Sequence, residues 1–271
     1  MYTQAALKRE DFKKTEDVFN RVMNRDDIAV ACLLRHKVDG YKLVVANAHF
    51  FWDPAFSDVK LVQAGMLMEE LEDLYAKWSV KRKDEPKPPS PTAPDLCGKT
   101  ALVVCVDMNS TPDSGVYEFL FRGQLGPSHP DFKGHRYGKY TEVGMSHPFS
   151  LRSAYAQGPN GTEILPFTNY TPGFSGVIDY IWYGTTGLSV EAVMDGPESA
   201  YIENVVGFPD PHFPSEYHPP THSQTQPFYP LSFFCSFFIS VGRMLIIVTL
   251  LFLPSYGSRI RPRRTRRRFR Q

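Results

Sequence analysis

Leu102 to Val106 is an unbroken apolar run, L-V-V-C-V, that stops abruptly at Asp107-Met108-Asn109. Five residues are too few for a helix, and the β-branched content reads as a buried strand. Asp107 and Asn109 stand two residues apart at its end, a spacing that sends both side chains to one side of a strand. Two hard oxygen donors there suit Mg²⁺ and leave room for a phosphate oxygen. The other reading is an Asx turn, with Asp107 and Asn109 capping the backbone.

The flanking chain supplies a sheet for that strand. Met1 to Asn24 is helical in pattern, with Phe12, Val18, Phe19 and Val22 among charges, until Asp26-Asp27 breaks it. Ile28 to Leu34 reads as a buried strand and Leu43 to Asn47 as a second, joined across the Asp39-Gly40 turn signal as a hairpin. The second strand runs into N-A-H-F-F-W-D-P, where Asn47 and His49 are again two apart; the plain alternative is a loop holding an aromatic cluster. Ser57 is placed to cap a helix over Asp58 to Lys77. Val59, Leu61, Val62, Met66, Leu67, Leu71 and Leu74 give it one apolar face to pack on the sheet.

Lys81 to Asp95 is a Pro-rich charged loop. Gly115 to Arg122 reads as a short helix, and His129 to Tyr140 as a polar, solvated loop. Proton transfer by His129 or His135 is the alternative there. Val177 to Tyr183 has strand character with Asp179 inside it. A buried carboxylate is costly unless paired, hydrogen-bonded or beside a metal. Backbone amides or Asn169 are the structural solution for Asp179. Leu188 to Met194 is a further strand.

The 271 residues suit one large or two small domains. Four scattered cysteines with no C-x-x-C pair fit a reducing compartment, and no signal-peptide pattern opens the chain. The net charge of +1 hides an asymmetry: nine arginines and no acid follow from Arg243 on, leaving −8 on the rest. Such a body does not bind nucleic acid by bulk charge, though a local, metal-filled site still can. Phe228 to Leu253 is apolar enough to span a bilayer of ~30 Å despite Arg243. The preferred reading is instead translated non-coding sequence starting near Glu216, with a membrane helix and a disordered tail as the alternatives. The arginine run at 259–270 suits nuclear localisation or RNA contact.

Three strand-end clusters are thus present: Asn47/His49, Asp107/Asn109 and Asp179. N-A-H-F-F-W-D-P-A-F-S-D-V-K, V-D-M-N-S-T-P-D-S-G and T-N-Y-T-P-G-F-S-G-V-I-D-Y together resemble the endonuclease/exonuclease/phosphatase (DNase-I-like) superfamily. The resemblance is strongest to its carbon catabolite repressor protein 4 deadenylase family, and it covers residues 1–215. It implies an α/β fold, part of a four-layer sandwich of two packed mixed sheets, with 216–271 an unrelated tail.

It also implies Mg²⁺-dependent 3′–5′ removal of poly(A) from mRNA with release of AMP at a two-metal site. Asp107 and Asn109 match the metal and phosphate residues, His49 the phosphate-binding imidazole, Asp179 the partner of a catalytic histidine, and Asn47 a residue that orders the site. Pro54, Asn109 and Phe174 match the adenine pocket, where stacking on an aromatic ring gives about 1–3 kcal/mol per base. The implied partners are poly(A) RNA and the subunits of a deadenylase complex, in cytoplasm and nucleus.

The chain departs from the family pattern in three places. The Gln-Glu metal-ligand segment belongs before residue 1. Glu216-Tyr217-His218 stands where Ser-Asp-His is expected. A hydrophobic and basic tail replaces the last core strand. The expectation is a deadenylase of impaired activity; the alternatives are a non-catalytic poly(A)-binding or scaffold relic and a small-molecule phosphatase of the same superfamily.

Overall fold

The computed structural model describes residues 17–35, 42–79, 100–193, 196–208, 235–241 and 244–252. The Asp39-Gly40 turn, the Pro-rich loop, His218 and the arginine run lie outside them, as does most of the helix read over Met1–Asn24. The described end of that segment is one π-helical turn, Val18–Val22, with both valines buried.

The frame is a five-stranded mixed sheet. β1 (Ala29–Arg35) pairs antiparallel with β2 (Lys42–His49), and β2 runs parallel to β3 (Thr100–Asp107). A parallel pair needs a crossover, and α1 (Ser57–Ser79) lies within it. Three two-stranded ribbons decorate the frame: β4 (Gln124–Leu125) with β5 (Met145–Ser146), β7 (Ala156–Gln157) with β8 (Thr162–Glu163), and β9 (Asn169–Thr171) with β10 (Phe174–Gly176). β11 (Asp179–Gly184) returns antiparallel to β3 and pairs with β6 (Leu151–Ser153) on its other side. The strand order across the frame is therefore β1-β2-β3-β11-β6.

β3 is the buried strand its composition predicts: every residue from Ala101 to Asp107 is buried. The hairpin strand beside β2 differs from expectation. Ile28, Val30 and Leu34 are 76%, 55% and 45% exposed. β1 ends the sheet, so its apolar run meets solvent on one face, while Ala31 and Leu33 pack against the core.

α1 also starts otherwise than expected. Asp53, not Ser57, is the cap: its Oδ1 accepts the Ala55 amide at 2.8 Å and opens a 3₁₀ turn, Pro54–Phe56, that feeds the helix. Ser57 is already helical and its hydroxyl donates to the Asp131 carbonyl at 3.1 Å. Asp58 to Val62 are all buried, because this end of the helix lies beneath the 129–140 segment. At the other end, the Tyr75 hydroxyl donates to the Ala101 carbonyl at 2.9 Å and fastens the helix to β3.

α2 (Gly115–Arg122) has the boundaries its sequence suggests. The Ser114 hydroxyl accepts the Tyr117 amide, and Gly123 closes the helix at φ 74°, where a Cβ would be strained. Tyr117 packs on Tyr180 and Trp182 of β11 with centroids 5.4 and 4.9 Å apart. The 129–140 segment is less solvated than expected. Phe132, Tyr137 and Tyr140 are buried, within a 3₁₀ turn (Pro130–Phe132) and around α3 (Lys139–Glu142).

β12 (Leu188–Val193) carries a second sheet. Its other strands, β13 (Cys235–Val241) and β14 (Met244–Phe252), form an antiparallel hairpin within the apolar run for which a bilayer span was an alternative, and β13 passes β3. The order is β12-β14-β13, so chain on both sides of residue 215 shares one sheet. Among the described residues no helix is long and apolar enough to cross a membrane. A last short helix, α4 (Ser199–Ile202), follows β12.

Candidate active site

Strand register brings the three clusters together. His49 is the register partner of Asp107 across the parallel β2–β3 pair, and Asp107 is the partner of Asp179 across the antiparallel β3–β11 pair. The three residues form a row at one end of the sheet. Two backbone bonds extend the ladders past the strand ends, Phe50 N–H to the Asp107 carbonyl and Met108 N–H to the Ile178 carbonyl, both 2.8 Å. The Tyr180 hydroxyl lies 2.9 Å from both the Ser110 and Val177 carbonyls, tying the loop after β3 to the start of β11.

Asp107 serves two directions. Its Oδ1 accepts the Asn109 amide at 2.9 Å, and its Oδ2 faces His49 Nε2 at 3.5 Å. The Asx turn is thus present on one oxygen, and the other faces His49. Asn109 is not placed by strand alternation. It sits at φ 46°, an uncommon conformation for a residue with a Cβ, and its Nδ2 donates to the Phe50 carbonyl at 2.9 Å.

Asp179 is 5% exposed. Neither backbone amides nor Asn169 hold its carboxylate: the Thr168 hydroxyl donates to Oδ2 at 2.7 Å. That hydroxyl also accepts the Ile178 and Asp179 amides, each at 3.0 Å. Oδ1 is buried and has no hydrogen-bond partner among the described residues. Burial and then the nearby Asp107 carboxylate push the Asp179 pKa well above the ordinary range, and the Thr168 hydroxyl only partly offsets them.

The remaining candidates lie at the same end of the sheet. Asn47 is exposed on β2, two residues before His49. Pro54 opens the turn before α1 and is exposed. Phe174 is in the β9–β10 hairpin that leads into β11; its ring is 40% exposed and rests where a Cβ on Gly176 would clash at 2.9 Å. His129 and His135, whose proton transfer was the alternative reading, have partners elsewhere. His129 Nδ1 accepts the Asp131 amide, and His135 Nδ1 is 3.0 Å from Asp17.

Two residues of this end escaped the sequence reading. Thr168 organises Asp179, and its signal is the threonine just before the N-Y-T-P-G-F segment. Lys60 is 3% exposed and its Nζ donates to the Asn109 carbonyl at 2.6 Å. Its signal is a charge inside the buried run D-V-K-L-V. Burial lowers its pKa, against the attraction of Asp53, Asp107 and Asp131.

A mixed sheet whose strand ends gather carboxylates, an imidazole and a carboxamide is the design of the DNase-I-like endonuclease/exonuclease/phosphatase class. Solved structures agree on the fold. Two structures of ANGEL2, a 2′,3′-cyclic phosphatase, superpose with TM-scores of 0.55 and 0.54, at 22% and 20% identity, each over 83% of this chain and 61% of that one. By sequence the chain is similar to Ccr4 exoribonuclease subunits. It is 47% identical over 222 residues to the CCR4-Not complex 3′-5′-exoribonuclease subunit Ccr4 of Mycosarcoma maydis, and 45% identical over 221 residues to that of Schizosaccharomyces pombe. These matches cover 80% of this chain but 32% and 31% of the relatives, so the chain spans about a third of their length. No family profile matches the chain.

Proposed function

We propose that the chain is the phosphodiester-binding part of a Mg²⁺-dependent 3′–5′ exoribonuclease that removes poly(A) from mRNA. The carrying observation is the row His49–Asp107–Asp179, set by register on three adjacent strands. The residues present fit one Mg²⁺. This ion takes one or two carboxylates and keeps its waters, and the partnerless Asp179 Oδ1 beside Asp107 suits such a ligand set. Asp107 and Asn109 would hold it, as the resemblance implies, and Asp179, matched there to the partner of a histidine, stands beside Asp107 as a second carboxylate. When bound, the ion would polarise the scissile phosphate and activate water. Among the described residues no group of three or more His, Cys, Asp or Glu is placed for a metal, so the set offered even to a first ion is sparse.

The chain's own residues then divide the work. His49, exposed beside Asp107, donates to a phosphate oxygen. The Asn109 carboxamide lies across the same ligand, and Asn47 supports it from β2. Pro54 and Phe174 enclose an adenine between an apolar ring and an aromatic face. The sparse ligand set supports weak turnover by this chain alone. The same reading makes the protein a subunit of a deadenylase complex, as its relatives are named, acting on mRNA in cytoplasm and nucleus.

Purified full-length chain incubated with 5′-labelled oligo(A) and Mg²⁺ tests this. The expected result is oligo(A) binding with AMP release far below the ~10 s⁻¹ of a median enzyme, lost in Asp107→Ala and on chelation of the metal. Cleavage untouched by Asp107→Ala, or no binding of oligo(A), overturns the site. Turnover near the median rate overturns the impairment. Binding with no turnover at all points to the non-catalytic reading.

A further inference from the structure

Lys60 is buried with nothing in its own helix to explain it. Among the described residues no carboxylate lies within 4 Å of its ammonium, so it is not there to close an ion pair. Among the described residues its one hydrogen bond goes to the carbonyl of Asn109, 49 residues further along the chain, at 2.6 Å. A donor that carries charge makes such a bond short and strong.

Asn109 needs such an anchor. Its left-handed φ of 46° is costly for a residue with a Cβ and persists only where neighbours over-determine it. Three contacts do so. Asp107 Oδ1 accepts its amide, the Phe50 carbonyl accepts its carboxamide Nδ2, and Lys60 holds its carbonyl. The first comes from β3, the second from the chain after β2, and the third from α1, so three elements converge on one turn. Removing the third frees the peptide after Asn109 to rotate, and with it the direction of the carboxamide.

We propose that Lys60 is a positioning residue of the site, clamping the Asp107–Asn109 turn so that Asp107 Oδ2 and the Asn109 carboxamide address one RNA phosphate. The inference rests on the phosphodiester reading given above. The lysine acts through Asn109 and does not touch the substrate. Its charge has a second effect. Asp53, Asp107 and Asp131 attract it from a distance, and Lys133 repels it. A fixed ammonium near these carboxylates lowers the negative potential that an incoming phosphate would meet.

Fluorescein-labelled oligo(A) titrated with the full chain in Mg²⁺ tests the clamp by anisotropy. Lys60→Met is expected to weaken binding about tenfold, one lost charge-assisted bond, and Lys60→Arg to restore most of it. Val59→Ala, one residue away and fully buried, lowers the melting temperature but leaves binding at the parent value, which separates positioning from packing. Lys60→Gln keeps the volume with a shorter, neutral donor. It is expected to weaken binding several-fold and decides the matter if the methionine variant does not fold. Parent-like binding by either Lys60→Met or Lys60→Gln overturns the role of Lys60 and leaves the site standing. A parent that binds no oligo(A) overturns the site and the clamp with it.

Discussion

Asp58 and Asp179 are both buried carboxylates, 0% and 5% exposed, and the fold treats them in opposite ways. Asp58 is saturated. Arg21 clamps it with Nε and Nη2 at 2.6 and 2.9 Å, the Tyr137 hydroxyl donates to it, and His135 Nε2 is 3.9 Å away. Burial alone would raise its pKa, but Arg21 and Tyr137 outweigh burial and hold it below the ordinary range. Asp179 has one donor, one oxygen without any among the described residues, and a second carboxylate opposite, and its pKa rises. The first is a rivet joining the π-turn, α1 and the 129–140 segment. The second keeps an unused acceptor where the strand ends meet, which costs stability and makes sense where a ligand supplies the missing partner.

The contrast breaks most sharply on stability. Asp58→Ala leaves the half-buried Arg21 and the buried Tyr137 hydroxyl without their acceptor. It should destabilise the protein by about 3–5 kcal/mol in urea unfolding. A loss no larger than that from Asp179→Asn would erase the distinction. Asp179→Asn should leave stability at neutral pH unchanged or higher. Its sign against pH is the sharper test. A carboxyl raised in the native state keeps its proton longer folded than unfolded, so its contribution falls as pH climbs from 3.8 through the native value, by about 1.4 kcal/mol per unit. Asp179→Asn should remove that decline. Asp58 works the other way: its stabilisation is present above 3.8 and is lost as pH falls through its lowered native value. Parallel pH profiles for parent and Asp179→Asn would show that Asp179 is not raised.

What the sequence disclosed follows the range of the forces involved. β3 and α2 were legible because a β-branched run and a Ser cap with a closing Gly are local signals. The row was legible because His49 and Asp107 end apolar runs and Asp179 interrupts one, and adjacent strands put the three side by side. Lys60 was not, because helical periodicity counts a lysine as solvent-facing and its partner is 49 residues distant. The Asp58 rivet was hidden for the same reason, with Tyr137 lying 79 residues away. The exposure of β1 depends on which strand ends the sheet, which composition does not encode. Ser57 looked like a cap because Asp53 and Pro54 cap one turn earlier, and a 3₁₀ turn fused to a helix has no periodicity of its own.

The smallest expected effect bears on why Asp179 tolerates its position at all. The Thr168 hydroxyl has one proton and two lone pairs. It spends the proton on Asp179 Oδ2 and both lone pairs on the Ile178 and Asp179 amides. Thr168→Val keeps the shape and removes all three bonds, in the parent and in an Asp179→Asn background alike. The two amide bonds are common to both backgrounds, so their loss cancels in a double-mutant cycle. What remains is the difference between donating to a carboxylate and donating to a neutral amide, about 1 kcal/mol. Thr168→Val should therefore cost about 1 kcal/mol less in the Asp179→Asn background than in the parent at a pH where the parent carboxylate is ionised, and the coupling should vanish in acid. Equal costs at both pH values would mean that Thr168 serves the backbone alone, and that the Asp179 charge reaches the site with nothing prepared to hold it.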